Sequence, residues 1–273
     1  MERNIKNLLL VTGNSIAVIA TIIVNALAVI LPLNGKTTQE LSDNIPNLFV
    51  PAGITFSIWS IIYIFLIIFM IYQIMCLIKN ERSDINYIEK ISGWFILASL
   101  ANILWIILWH YEHVSFSLLA MLLLLASLIM IYLRLNIGLS KVSIREKLMV
   151  HTTISIYLGW ISVATIANVT AVLVKAGVGE LFLGQTTWTM LVIAIATLLT
   201  ILMLLRRKDI AYSLVIIWAL LGIMIKRLNT DPTYGVQTNI AITAAIAMII
   251  IAIVMIARII QTIYKKEPAK NIE

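Results

Sequence analysis

The sequence predicts an all-α integral membrane protein that crosses the bilayer about eight times. Three observations carry this. Hydrophobic residue types make up 61% of the 273 residues and charged types 12%, roughly half the charge of an ordinary soluble domain. The apolar runs are 16 to 25 residues long and do not alternate, which suits bilayer-spanning helices and not barrel strands. The basic residues sit between these runs with a strong bias to one side. Because hydrocarbon offers no partner to a backbone N–H or C=O, long apolar runs satisfy those groups internally, as helices.

The spans follow in order. Leu8 to Ile30 is preceded by Arg3 and Lys6. Ala26-Leu27-Ala28 imitates a signal-peptidase site, but a signal core is about 7–15 residues long, so the first run is expected to be a retained helix. The others are Ile54 to Ile78, Ser92 to His110, Ser115 to Arg134, Val150 to Leu173, Thr187 to Leu205, Ile210 to Ile225 and Asn239 to Ile263. The seventh is the shortest, since its residues rise only about 24 Å. With the N-terminus in the cytoplasm, 16 of the 20 Lys and Arg residues lie inside, and Lys36, Lys175, Lys226 and Arg227 lie outside. This positive-inside pattern predicts a multi-pass plasma-membrane protein with both termini cytoplasmic. A short disordered tail is expected after Lys265. The formal charge of +7 is thereby a topology signal, and no nucleic-acid partner is expected. The lone Cys76 lies inside an apolar run, where it is expected to be a small packing residue.

The first outer loop, Leu31 to Gly53, is unusual. It holds Pro32, Gly35, Pro46, Pro51 and Gly53 around the apolar cluster Leu48-Phe49-Val50. Apolar residues in a proline-ordered loop point to a lid folded back on the bundle, with an interfacial segment on lipid headgroups as the alternative. The span centres carry no charge, which weakens a proton-coupled pump. They carry tryptophans and asparagines instead. Trp94, Ala98, Asn102, Trp105 and Trp109 fall within about 80° on the third span. Tyr157, Trp160, Ala164 and Asn168 form a stripe on the fifth, Phe56, Trp59 and Tyr63 on the second, and Asn14 and Asn25 share a face of the first. Such stripes could meet in one aromatic cavity. Helix–helix hydrogen bonding is the competing role for the asparagines, and the interfacial belt for Trp94, Trp188 and Trp109. His110 and His113 are expected to be solvated turn residues. Gly159, Ala164 and Ala167 suit close helix packing.

These stripes resemble the TspO/MBR family, the tryptophan-rich sensory proteins and translocator proteins. Pro51-Ala52-Gly53 through Phe56 to Trp59 and Tyr63 is similar to the family's Pro-Gly-aromatic run into Trp-x-x-x-Tyr. Asn102-Ile103-Leu104-Trp105 looks like its Asn-x-x-Trp. Tyr157-Leu158-Gly159-Trp160 followed by Ala164 and Asn168 looks like its fifth-helix motif. The resemblance covers roughly the first 173 residues and leaves the last three spans outside, as in the longer bacterial and archaeal branch. It departs from compact members in a loop without tryptophan, in Ile156 where they have proline, and in a fourth span without an acidic residue.

The resemblance implies a five-helix bundle over residues 1–175 with a lid at 31–53, three further helices over 176–264 and a tail at 265–273. It also implies a receptor or carrier for a flat hydrophobic ligand, sterol-like or a tetrapyrrole such as porphyrin or haem. Trp59, Tyr63, Asn102, Trp105, Tyr157, Trp160, Ala164 and Asn168 would form its site, under lid residues Phe49, Pro51 and Gly53. No resident cofactor or metal is required, and the expected partners are lipid, the apolar ligand and, as an option, a second copy. The alternatives are a permease or accessory transport subunit and, third, a light-dependent porphyrin-degrading enzyme. No catalytic constellation appears, so binding is favoured over catalysis.

The charge split is directly testable. A cysteine introduced as Thr37→Cys should react with an impermeant thiol reagent outside intact cells. Ser143→Cys should react only after permeabilisation, and its labelling from outside would overturn the eight-span topology.

Overall fold

The computed structural model describes residues 2–31, 33–79, 82–178, 184–231 and 233–264. Helix α1 (Glu2–Ile30) leads into a lid segment with a 3-10 turn at Leu33–Gly35 and the short α2 (Thr38–Asp43). A second 3-10 turn, Gly53–Ser57, runs into α3 (Ile58–Lys79), followed by α4 (Arg82–Ile91), α5 (Trp94–His110) and α6 (Val114–Arg134). The fifth span is a continuous rod of α7 (Ile144–Glu146), a π turn (Lys147–His151) and α8 (Thr152–Lys175). Helices α9 (Gly184–Arg207), α10 (Ile210–Leu228) and α11 (Thr238–Tyr264) complete the described chain.

Among the described residues, seven helices are long and apolar enough to cross a membrane, and the 17-residue α5 is a shorter apolar one. The chain is therefore a multi-pass helical membrane protein. The eight apolar helices coincide with the eight expected spans, with one correction of length. The seventh, α10, runs to 19 residues, so α5 is the shortest. The gain at its end has a physical cause. Arg227 is not in an aqueous loop but is 1% exposed, with its Nη1 3.5 Å from the Asp231 carboxylate. The two helices without a counterpart among the spans, α2 and α4, are short and polar. The first is held by a capping box, in which Glu40 N–H donates to Thr37 Oγ1 (3.2 Å) and Thr37 N–H donates to the Glu40 carboxylate (2.7 Å). The expected tail after Lys265 lies outside the described residues.

Polar contacts between helices give their directions. Asn14 of α1 meets Gln73 near the end of α3, whereas Asn25 meets Asn102 of α5. Thr153 near the start of α8 reaches Phe65 O in α3. Tyr132 near the end of α6 and Ser155 near the start of α8 both reach Asp209, which caps α10. Spans consecutive in the chain thus run antiparallel, while the packed pairs α1 with α5 and α8 with α10 run parallel, and the molecule has two ends. A basic face carries the connections from α3 to α5, α6 to α8 and α9 to α10. A lid face carries residues 33–53. Large apolar side chains such as Ile64, Leu100 and Ile253 are exposed on the flanks, where lipid is the solvent.

The last three helices meet the rest mainly through α10, which packs on α8 and on the turn before α3; α9 and α11 pack on α10 and on each other, and α9 also reaches the α6–α7 connection through Arg207 and Asn136. Two glycines allow this approach. A Cβ at Gly159 would stand 3.1 Å from Val215 Cβ, and one at Gly222 only 1.9 Å from Thr55 Oγ1. Ala52 N–H donates to Gly222 O (3.0 Å), and Trp218 Nε1 donates to Thr55 O (3.0 Å). Helix α10 therefore holds the hinge between the lid and α3.

A methyl group at Gly222 overpacks that contact. Gly222→Ala should lower stability in detergent by about 1–3 kcal/mol. Gly93→Ala, at a position with no atom within 4 Å of the new Cβ, should leave the unfolding midpoint unchanged. Equal midpoints for the two variants would show that α10 does not press on the hinge.

Candidate ligand cavity under the lid

Trp59 stands one residue inside α3 and is the hub of the aromatic stripes. Its ring stacks at 6.1 Å on Trp105 of α5 and at 5.7 Å on Tyr63, one turn along its own helix. It meets Trp160 and Tyr157 of α8 edge-on at 6.2 and 6.3 Å. Trp105 continues the stack to Trp109 (6.3 Å), and Phe56 meets Trp160 edge-on (6.0 Å). These separations are the ones at which ring quadrupoles attract, so the stripes on three helices form one connected wall.

Above this wall is a cavity of about 580 Å³, its open mouth included. Trp59, Trp105, Trp109, Trp160, Phe56, Ala164, Ala167 and Asn168 line it from the bundle, and Thr38, Ser42, Ile45, Asn47, Val50 and Pro51 line it from the lid. Of the residues singled out in the sequence, Trp59, Trp105, Trp160, Ala164, Asn168 and Pro51 are thus brought together. Tyr63, Asn102 and Tyr157 lie outside the lining. Asn102 is fully buried and accepts from Asn25 Nδ2 (2.7 Å), and Tyr157 is buried beside it. Phe49 is buried under the lid, and Gly53 abuts Gln39, which a Cβ would approach to 2.1 Å.

The polar groups of the lining are largely committed to one another. Trp105 Nε1 donates to Asn168 Oδ1 (3.2 Å), and Asn168 Nδ2 donates to Ser117 Oγ (3.2 Å). Trp109 Nε1 donates to Thr38 O (3.4 Å). Trp160 Nε1 is the exception: it is buried and has no protein acceptor. No charged side chain is among the lining residues. The cavity therefore offers flat aromatic surface, the free Trp160 indole N–H, the Ser42 hydroxyl and no ionic partner.

The lid is closed over this space, and apolar Leu48, Phe49 and Val50 are 2–3% exposed. Asn47 positions them. Its Nδ2 donates to Thr170 Oγ1 on α8 (2.6 Å), and its Oδ1 accepts from Phe49 N–H (2.9 Å). The only sequence signal for Asn47 was an asparagine between Pro46 and an apolar triplet. At the rim, Lys36 meets Glu112 (2.9 Å) and Lys226 meets Asp43. The lid also corrects two expectations. His110 is not a solvated turn residue but fully buried, its Nδ1 2.8 Å from Ile106 O and its carbonyl accepting from Asn34 Nδ2 (3.1 Å). Trp109 is a cavity wall rather than a belt residue, because the lid covers the helix end that would otherwise meet headgroups.

An all-helical bundle with an aromatic cavity under a lid, formed where three membrane helices converge, defines a class of membrane proteins with an internal apolar site. The chain belongs to the TSPO-like protein family, whose model matches residues 9–257. The match runs well past residue 173. It corrects the expectation that the last three spans lie outside the resemblance: α9, α10 and most of α11 are part of the family pattern, although they carry none of the tryptophan–asparagine motifs. No curated protein and no solved structure gives a significant match.

Two ties of unequal weight hold the lid. Asn47 is buried, and its removal leaves Thr170 and the Phe49 N–H without it, which should cost about 1–3 kcal/mol. The Lys36–Glu112 pair is over 40% exposed and is worth less than about 1 kcal/mol. The Lys36 ammonium holds the Glu112 carboxyl below its ordinary range. That tie is thus complete above the ordinary value and is lost only as the pH falls through the lowered one. Asn47→Ala should speed amide exchange at residues 47–50 several-fold at pH 7, and Glu112→Gln should change it little. Faster exchange in Glu112→Gln than in Asn47→Ala would reverse this ranking.

Proposed function

We propose that this protein is a TspO-like membrane receptor or carrier that binds a flat hydrophobic ligand in the lidded cavity. The observation that carries the reading is a tryptophan-walled space without a charge, in whose lining the one fully buried polar atom without a partner is the Trp160 indole nitrogen. An aromatic wall favours a planar apolar body by stacking, and a lone buried donor favours a ligand with one hydrogen-bond acceptor. Uncharged walls favour a neutral core, since an ionised group there would be unpaired. Sterol-like molecules fit that description directly. A tetrapyrrole would place its ring against the tryptophans and its carboxylates at the rim, where Lys175 stands with Glu112 (4.0 Å) near Trp109 and Ile45. In this reading residues 1–175 form the binding bundle, residues 176–264 brace the lid hinge, and the basic face lies in the cytoplasm at the plasma membrane.

A permease is the second reading. One observation favours it: Asn7, Asn14, Thr21 and Asn25 are all at most 3% exposed along a single face of α1. This makes a buried polar row leading from the basic face toward the cavity floor. Flux of a labelled solute into proteoliposomes, absent from empty liposomes, would support it over a receptor.

The binding reading is tested by tryptophan quenching on titration with protoporphyrin dimethyl ester and with its free acid. The ester should bind at least as tightly as the acid. Trp160→Leu keeps apolar bulk but removes the ring and its N–H, and affinity should fall by roughly 1–2 kcal/mol, about five- to thirty-fold. Unaltered affinity in a folded Trp160→Leu protein would make these rings ordinary packing residues.

A further inference from the structure

A second open space is larger than the lidded cavity. It is a groove of about 1270 Å³, open side included, between α6, α8 and α9. Helix α9 packs on α10 and α11, which leaves its other flank turned toward α6 and α8. Leu125 and Ile129 of α6 form one wall and Leu199 and Leu202 of α9 the other. Leu158, Ser162 and Thr165 of α8 form the floor. The two floor hydroxyls are turned away from the space: Ser162 donates to Leu158 O (2.8 Å) and Thr165 to Ile161 O (2.7 Å). Tyr132 and Tyr212 also line it, and the rest of its length presents carbon. On each helix it spans nine residues, a rise of roughly 12 Å, less than half of the ~30 Å hydrocarbon core.

The end of the groove at the basic face is different. Arg206 and Arg207 close it. Arg207 is held in place, donating from Nη1 to Asn136 Oδ1 (2.8 Å) with its guanidinium 5.8 Å over the Tyr132 ring. Arg206 is exposed and has no hydrogen-bond or ion-pair partner among the described residues. The nearby Asp209 carboxylate does not serve these arginines. It accepts from Tyr132 OH (2.9 Å), Ser155 Oγ (2.6 Å) and Tyr212 N–H (3.0 Å).

We infer that this groove is a binding site for one anionic phospholipid of the leaflet at the basic face. An acyl chain lies along the apolar walls and the phosphate sits at Arg206 and Arg207. Two features make lipid the occupant. The groove is confined to half of the bilayer and opens sideways to it, so hydrocarbon chains are what it meets. Its only ionic groups are two guanidiniums at headgroup level, which complement a phosphodiester. Such a lipid fills the seam between α9 and the rest of the bundle and joins them through its own chain.

The test uses the full-length protein in detergent, incubated with equal amounts of phosphatidylglycerol and phosphatidylcholine of identical chains and weighed by native mass spectrometry. One phosphatidylglycerol should be retained in preference to phosphatidylcholine. Arg206→Gln with Arg207→Gln should abolish the preference, a loss of about tenfold or more for two surface arginines. Lys141→Gln with Arg145→Gln removes two charges from the same face outside the groove and should leave it intact. Leu202→Trp, at a partly exposed groove position, should displace the lipid while both arginines remain. Thermal unfolding of each variant in lipid-free detergent establishes that it is folded. The assignment is overturned by undiminished phosphatidylglycerol preference in the double arginine variant, by equal loss in the Lys141/Arg145 control, or by unchanged retention in Leu202→Trp. It is also overturned if millimolar inorganic phosphate displaces the lipid completely, which would mark a site for the free anion.

Discussion

Hydrocarbon supplies no hydrogen-bond partner, so each polar side chain carried into the bilayer has to find one inside the bundle. This requirement organises the molecule. Asn14 pairs with Gln73 to join α1 to α3, and Asn25 pairs with Asn102 to join α1 to α5. The chain Trp105–Asn168–Ser117 ties α5 to α8 and α8 to α6. These bonds set which faces meet, and the tryptophan wall follows from them: the residues beside Asn102 and Asn168 on the same stripes are Trp105, Trp160 and Ala164. The cavity is uncharged because no ionisable residue lines it, and its amides are engaged, Asn168 with Trp105 and Ser117 and Asn47 with Thr170. Indole is the side chain that can line such a space, being flat, apolar and able to keep one N–H in reserve.

The lid obeys the same requirement at the membrane surface. A segment with exposed Leu48, Phe49 and Val50 would bind nonspecifically to headgroups, and burying them requires the intervening backbone to be satisfied. Asn47 does this from both sides, toward Phe49 and toward α8. The hinge at Ala52–Thr55 is satisfied from elsewhere, by Gly222 and Trp218 of α10. The last three helices are thus coupled to the roof of the cavity, although no residue of α9 or α11 lines it. Opening the lid involves α10, and through it the three-helix set to which it belongs.

The two faces divide the electrostatics. On the lid face, cations are paired: Lys36 with Glu112, Lys226 with Asp43 and Arg227 with Asp231. On the basic face, Arg206 stands free among the described residues and Arg207 is oriented by a neutral amide and a phenol ring. Paired charge closes a lid, whereas unpaired charge at headgroup level is available to an anionic lipid.

Much of this was legible in the chain. Eight spans, their alternation and the apolar lid cluster follow from hydropathy and charge placement, which respond to the solvent around each segment and not to its neighbours. The stripes on α3, α5 and α8 follow from helical period alone, and they supplied Trp59, Trp105, Trp160, Ala164 and Asn168. Periodicity identifies a face but not the height at which faces meet. It therefore did not separate Asn102 and Tyr157, beneath the cavity floor, from Trp109, which lines it. Nor did it show that α10 and not α9 or α11 reaches the hinge, because Gly159 and Gly222 matter only through Val215 and Thr55, which lie 56 and 167 residues away in sequence. The sequence by itself determined how many long apolar helices there are and which face of each is polar or aromatic, since those depend on local composition in a fixed solvent. Only the tertiary structure decided which polar atoms pair, which are left free and where the gaps lie, because these depend on distances between side chains far apart in the chain.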